Sequence, residues 1–231
     1  MRRAFKFLFG ALAILLVGAI AFTAWYVLTD DAPAKPKLSN NTPTGTGGPP
    51  TPVGAWHVVR GPSVFVGYRI KELFGDAVLK RDAVGRTDLV TGGLKIAGSR
   101  VATVIVNADV SKLDSGRPSR DAYTRDNALE TGKFKTARFT LTAPVLLPTN
   151  VARGKQVHAV ASGALLLHGV TRPVRITLDA RWNGPTIEAV GSAPIALADF
   201  GIDAPSTPIA KVDDHGTLEF DLQFAPGASP G

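Results

Sequence analysis

The sequence predicts an all-β antiparallel domain, a sandwich or a barrel, held behind a single N-terminal transmembrane helix. Two observations carry this expectation. Between residues 54 and 225 the dominant apolar period is two: Val64, Val66, Tyr68 and Ile70 alternate with Phe65, Gly67, Arg69 and Lys71, and Leu218, Phe220, Leu222 and Phe224 alternate with Glu219, Asp221 and Gln223. Such alternation describes strands with one dry and one wet face. Ahead of that domain, residues 7–28 form an uncharged apolar run of 22 residues, and about 20 suffice to cross the hydrocarbon core as a helix.

Arg2, Arg3 and Lys6 precede the run and Asp30 and Asp31 follow it. The positive-inside bias puts the N-terminus in the cytoplasm and the rest of the chain outside, in the cell envelope. Ala19-Ile20-Ala21 has the small-x-small form of a cleavage site, but the apolar run continues past it to Leu28, which favours an uncleaved anchor over a signal peptide. Residues 1–29 are therefore read as anchor. Residues 30–53, rich in Pro, Thr, Gly, Asn and Ser, hold too few apolar side chains to offset the entropy of ordering and are expected to be a flexible tether. Residues 54–225 make one domain, and 226–231 a disordered tail.

Within the domain further strand-like runs cover 82–90, 94–97, 101–110, 137–147, 156–168, 174–182 and 186–195, with Gly and Pro punctuating the gaps. Many short strands at this spacing suit a sandwich or barrel. One stretch differs: residues 119–134 carry good helix formers and few β-branched residues, so a short helix is expected from a Ser119 cap to Gly132.

Composition excludes several functions. The chain has no cysteine, so it has no disulfide framework, thiolate metal site or Cys nucleophile. The net charge of +7 owes three units to the residues before the span, and residues 54–226 carry 21 basic against 17 acidic side chains with the signs interspersed. A nucleic-acid partner would require basic residues clustered on one face, and none is expected. His57, His158, His168 and His215 lack metal-ligand spacing, and no serine elbow, P-loop or dinucleotide fingerprint is present. No catalytic residue, metal or cofactor is expected.

Three local signatures occur in order. Arg125-Asp126-Asn127-Ala128-Leu129-Glu130 runs on through Gly132-Lys133-Phe134 to Arg138-Phe139. Gly163-Ala164-Leu165-Leu166-Leu167-His168-Gly169-Val170-Thr171-Arg172-Pro173-Val174 follows. Asp199-Phe200-Gly201-Ile202, Val212-Asp213 and the strand over 218–224 close the chain. This set resembles the YceI-like family of exported proteins over about residues 55–225. Glu72 stands where many members have histidine, and Phe134 is the only aromatic of a pair that many members show. The resemblance implies an up-and-down, lipocalin-like β-barrel with one or two short helices and an apolar interior that holds a polyisoprenoid or other amphiphilic lipid. Eight strands closed on themselves leave room for side chains or one small ligand.

By alternation the inward set is Val66, Tyr68, Ile70, Phe139, Leu141, Leu165, Leu167, Ile176, Leu178, Phe220 and Leu222, and Phe134 is added as a lining residue. Periodicity does not separate a packed core from a lined tunnel; the resemblance favours the tunnel. Arg125 and Asp126 are candidates for the barrel mouth or a lipid head group, or else an ion pair with each other. Residues 168–174 read as a tight turn, in which Gly169 and Pro173 supply backbone geometry and His168 points outward. The partners expected are an isoprenoid or amphiphilic lipid and the membrane through residues 7–28, with a homodimer left open. The competing reading is a ligand-free barrel that serves as an envelope interaction or stress module. An enzyme acting on a lipid ranks third.

Overall fold

The computed structural model describes residues 32–40, 51–74, 79–149, 151–206 and 210–227. The predicted span lies outside them, and no helix among the described residues is long and apolar enough to cross a membrane. The strands are β1 (Gly54–Val59), β2 (Phe65–Phe74), β3 (Leu79–Thr87), β4 (Val90–Ala97), β5 (Arg100–Asp109), β6 (Thr136–Leu141), β7 (Val145–Leu146), β8 (Gln156–Leu167), β9 (Val170–Trp182), β10 (Ile187–Ala196) and β11 (Ala210–Pro226). Every pairing is antiparallel. The ring β1-β4-β5-β6-β8-β9-β10-β11 closes where β1 pairs with the end of β11. Eight positions round the ring make a barrel, the closed alternative of the two that the alternation allowed.

Strand β1 is absent from the sequence expectation because Gly54-Ala55-Trp56-His57-Val58-Val59 is too short to alternate clearly. It pairs β4 through Gly54↔Ile96 and β11 through Trp56↔Pro226, and Trp56 is fully buried. β11 is longer than expected. Its upper part pairs β2 from Ala210↔Phe74 to Asp221↔Phe65, with an irregularity between Val212 and Gly216, and its last residues pair β1. One long strand thus serves two partners, and β2–β3 extend the wall above β1–β4.

The helix expected from a Ser119 cap begins at Pro118 instead, as α1 (Pro118–Tyr123) continuing into one π-helical stretch, Thr124–Ala128. Proline at the first helical position fixes φ where no N–H partner is required, and this sets the start. Glu130, at φ 41°, ends the segment before Gly132 is reached. This segment and Leu197, Phe200 and Ile202 pack around Val110, Leu129, Ala137, Leu165 and Leu167, which closes one end of the barrel with a small core of its own.

The hairpin between β8 and β9 turns in two residues, His168 and Gly169, both at positive φ (50° and 74°). That geometry matches the twist of the flanking strands. Contrary to the expectation of an outward side chain, His168 is tucked in. Its Nδ1 lies 3.0 Å from the Phe200 carbonyl, its Nε2 lies 3.1 Å from Glu130 Oε2, and its ring meets Phe134 edge-on at 4.8 Å. The turn therefore ties the hairpin to both elements that cap this end.

Outward-facing positions on β2, β11 and β10 are unusually charged and unusually buried. Arg69 donates to Glu219 at 2.6 and 3.2 Å and to Asp82 at 3.0 Å, and Arg181 pairs with Glu188 at 2.8 Å. Residues 32–40, expected to belong to the flexible tether, lie over this face. Pro33 O accepts from Arg69 and Ala34 O from Arg86, the Ser39 N–H and hydroxyl donate to Glu188, and Arg181 donates to Ser39. Polar bonds to backbone carbonyls hold this segment, so its low apolar content did not prevent docking.

Asp221 sits in the same wall, and its Oδ1 is buried without a hydrogen-bond partner among the described residues. Burial, reinforced by Glu188 and opposed by Arg86, pushes its pKa up to about 6. The folded state therefore holds this proton more tightly than the unfolded chain does. Its contribution falls as pH rises from about 4 to about 6 and is level above that. Asp221→Asn should remove that falling limb and gain on the order of 1–2 kcal/mol at neutral pH. Denaturant melts of both proteins across this pH range check it; equal slopes would contradict the assignment.

Candidate ligand-binding cavity

Alternation along every strand sends one set of side chains into the barrel, and they do not fill it. Two adjoining chambers remain, of about 190 and 360 Å³. Phe139, Leu141, Leu165, Ile176, Leu178, Phe220 and Leu222 line the smaller. Tyr68, Ile70 and Leu167 line the larger, and Val66 borders both. Eleven of the twelve expected lining residues thus border one or other of these two chambers. The exception is Phe134, which packs under the hairpin turn against His168 and Gly169 and borders neither chamber. It follows the helical segment rather than lying on a strand, so alternation had no purchase there.

Three glycines keep the lumen open. A Cβ on Gly85 would stand 2.5 Å from the Tyr68 ring and one on Gly191 would stand 2.6 Å from Phe220 Cζ, and one on Gly163 would run into the Phe139 ring. Tyr68↔Gly85 and Phe220↔Gly191 are direct cross-strand pairs. Each ring packs against its glycine, in space that a Cβ would take. This pairing of aromatic with glycine is a signal the sequence carried and the parity argument did not use.

The chambers differ in chemistry. The smaller is lined almost wholly by aliphatic and aromatic side chains, with Arg138, Lys155 and Arg181 as its charged members. Leu94, Val104, Trp182 and Ala189 belong to it too and were not singled out from the sequence. The larger opens beside α1 and carries polar groups. Arg120 grips Glu72 with two bonds of 2.9 Å, and Arg81 approaches the same carboxylate at 3.4 Å. Glu72, singled out in the sequence, is thus held between two arginines. Burial raises the Tyr68 pKa against a hydrogen bond from Thr124, so the phenol stays protonated. This mouth thus carries a carboxylate held by arginine, Glu72, beside the protonated Tyr68 phenol.

Arg125 and Asp126, the candidates for the mouth, lie in the π-helical stretch, pair with each other at 2.9 Å and are 45% and 60% exposed. Neither borders a chamber. Asp213, Asp214 and His215 come together at the β11 irregularity, where Asp214 and His215 are solvent-exposed.

The model of the YceI-like domain matches residues 65–224. The chain belongs to the YceI-like family. A UPF0312 protein of Vibrio vulnificus (strain YJ016) is 34% identical over 119 residues, 48% of this chain and 58% of that one. A UPF0312 protein of Shewanella sp. (strain W3-18-1) is 31% identical over 128 residues, 52% and 63% of the two chains. The matches thus span less than two thirds of these YceI-like relatives. Among solved structures, a polyisoprenoid binding domain from Saccharophagus degradans superposes with a TM-score of 0.60 at 19% identity, over 75% of this chain and 99% of that one. BcnA of Burkholderia cenocepacia gives 0.52 at 17% identity, over 68% and 95%. At these identities the likeness establishes the YceI-like barrel fold.

Proposed function

We propose that this protein is a membrane-anchored, extracytoplasmic binding protein that holds a polyisoprenoid or other amphiphilic lipid inside its barrel. The observation that carries the reading is the open lumen: two largely apolar chambers, both bordered by Val66, Ala137 and Leu218, walled by side chains that a packed core would have brought into contact. Burial supplies the affinity, at about 0.8 kcal/mol for each methylene taken from water, so a chain binds without many polar contacts. The polar end beside α1, with Tyr68 and the Arg120–Glu72 pair, suits the less apolar end of such a molecule. Membership of a family whose fold includes a polyisoprenoid binding domain supports this reading over an enzyme. The anchor rests on residues 7–28 and their flanking charges.

Ala189 faces the smaller chamber from β10. Ala189→Trp should put its ring into space the lipid needs, so lipid recovered with the protein falls sharply while the melting temperature changes little. Val160→Trp, on an outward position of β8, is the control and should leave both unchanged. If Ala189→Trp instead costs the roughly 1–3 kcal/mol of an overpacked core, the lumen is not free space and the binding reading loses its support.

A further inference from the structure

Residues 32–40 come straight after the predicted span. Four residues separate Leu28 from Pro33, and Pro33 is already bonded to Arg69 on β2. The next contact is Ala34 with Arg86 on β3, and the last is Ser39 with Glu188 and Arg181 on β10 and β9. The segment therefore crosses the wall from β2 and β3 to β9, and its incoming end is fixed at β2–β3. Five Cα steps from Leu28 reach at most about 18 Å, whereas the 26 steps from Leu28 to Gly54 would reach about 90 Å if all were free.

We propose that residues 32–40 act as a strap that shortens the tether and holds the β2–β3 wall of the barrel against the lipid surface. The inference rests on the membrane anchoring proposed above and adds an orientation to it. A barrel on a free tether presents any side to the bilayer. A strapped one keeps a single wall near it, with the larger chamber, bordered by Tyr68, Ile70 and Ala83 of that wall, on the membrane side. Lipid would then pass between bilayer and lumen over a short path.

The absence of cysteine makes site-specific labelling direct. The full chain is placed in phosphatidylcholine–phosphatidylglycerol vesicles that carry a head-group fluorophore as acceptor. A donor is attached to Lys80→Cys on β3 or to Leu146→Cys on β7, which pairs the start of β5 beside the β4–β5 turn. Energy transfer should be clearly greater from the Lys80 site. A Gly-Ser insert of about 12 residues, roughly 20 Å of added root-mean-square reach, is then placed either between Leu28 and Pro33 or between Asn40 and Thr51. Only the first insert should lower transfer from the Lys80 site to the level of the Leu146 site. Equal transfer from the two sites in the parent overturns the proposal, as does an equal response to both inserts or no response to either. Loss of the protein from the vesicles in an alkaline carbonate wash removes the anchor reading itself, a result distinct from the others.

Discussion

Glu219→Ala should be the most damaging single substitution in the barrel wall, costing about 3–5 kcal/mol. Glu219 is 2% exposed although it sits on the outer face of β11, because the neighbouring side chains and residues 32–40 cover it. Its carboxylate takes two bonds from Arg69, which is 8% exposed, and lies 3.8 Å from Arg86. Removing it leaves two guanidinium groups in a poorly hydrated wall, with Asp82 at 3.0 Å as a counter-charge to Arg69 alone. The cost is mostly that of the stranded cations, so Arg69→Met together with Glu219→Leu should recover much of the loss. In a domain of this size each kcal/mol shifts the melting temperature by roughly 2–4 °C. Thermal melts of the two variants decide the matter: a single variant that melts like the parent would mean the pair contributes nothing.

Gly191→Ala is expected to destabilise by roughly 1–3 kcal/mol and to reduce lipid binding as well. The added methyl would lie 2.6 Å from Phe220 Cζ and 2.6 Å from the Thr177 carbonyl. A ring can rotate away, but the carbonyl belongs to the backbone of β9, so the strand itself must move. The escape open to Phe220 is the lumen, which couples stability to capacity. Gly132→Ala, where nothing lies within 4 Å of the new atom, should be nearly neutral in both assays. An unaffected melt and unchanged lipid content for Gly191→Ala would show that the rings do not depend on their glycines.

Parity made the interior legible. Val66, Tyr68 and Ile70 on β2, Leu165 and Leu167 on β8, and Phe220 and Leu222 on β11 all face the lumen, because a strand offers only two sides and one of them was polar. Where the backbone leaves the strand, the same logic fails. Phe134 and His168 are placed by the helical segment and by a two-residue turn whose positive φ values swing the imidazole inward. The openness of the lumen was not legible from hydrophobicity, since a filled core has the same period; it depends on Gly85, Gly163 and Gly191, each set against one ring. Composition misled over residues 32–40. They are poor in apolar side chains, but their docking uses backbone carbonyls and Ser39, and the arginines that receive them come from strands far along the chain.

Native mass spectrometry of the full chain, taken from its own membranes in a mild detergent and checked by solvent extraction, tests the central claim most directly. The binding reading predicts a discrete adduct, about one per barrel, that releases a long-chain apolar lipid on extraction and is depleted in Ala189→Trp. A parent protein that flies at its bare polypeptide mass, with no lipid in the extract, would contradict it.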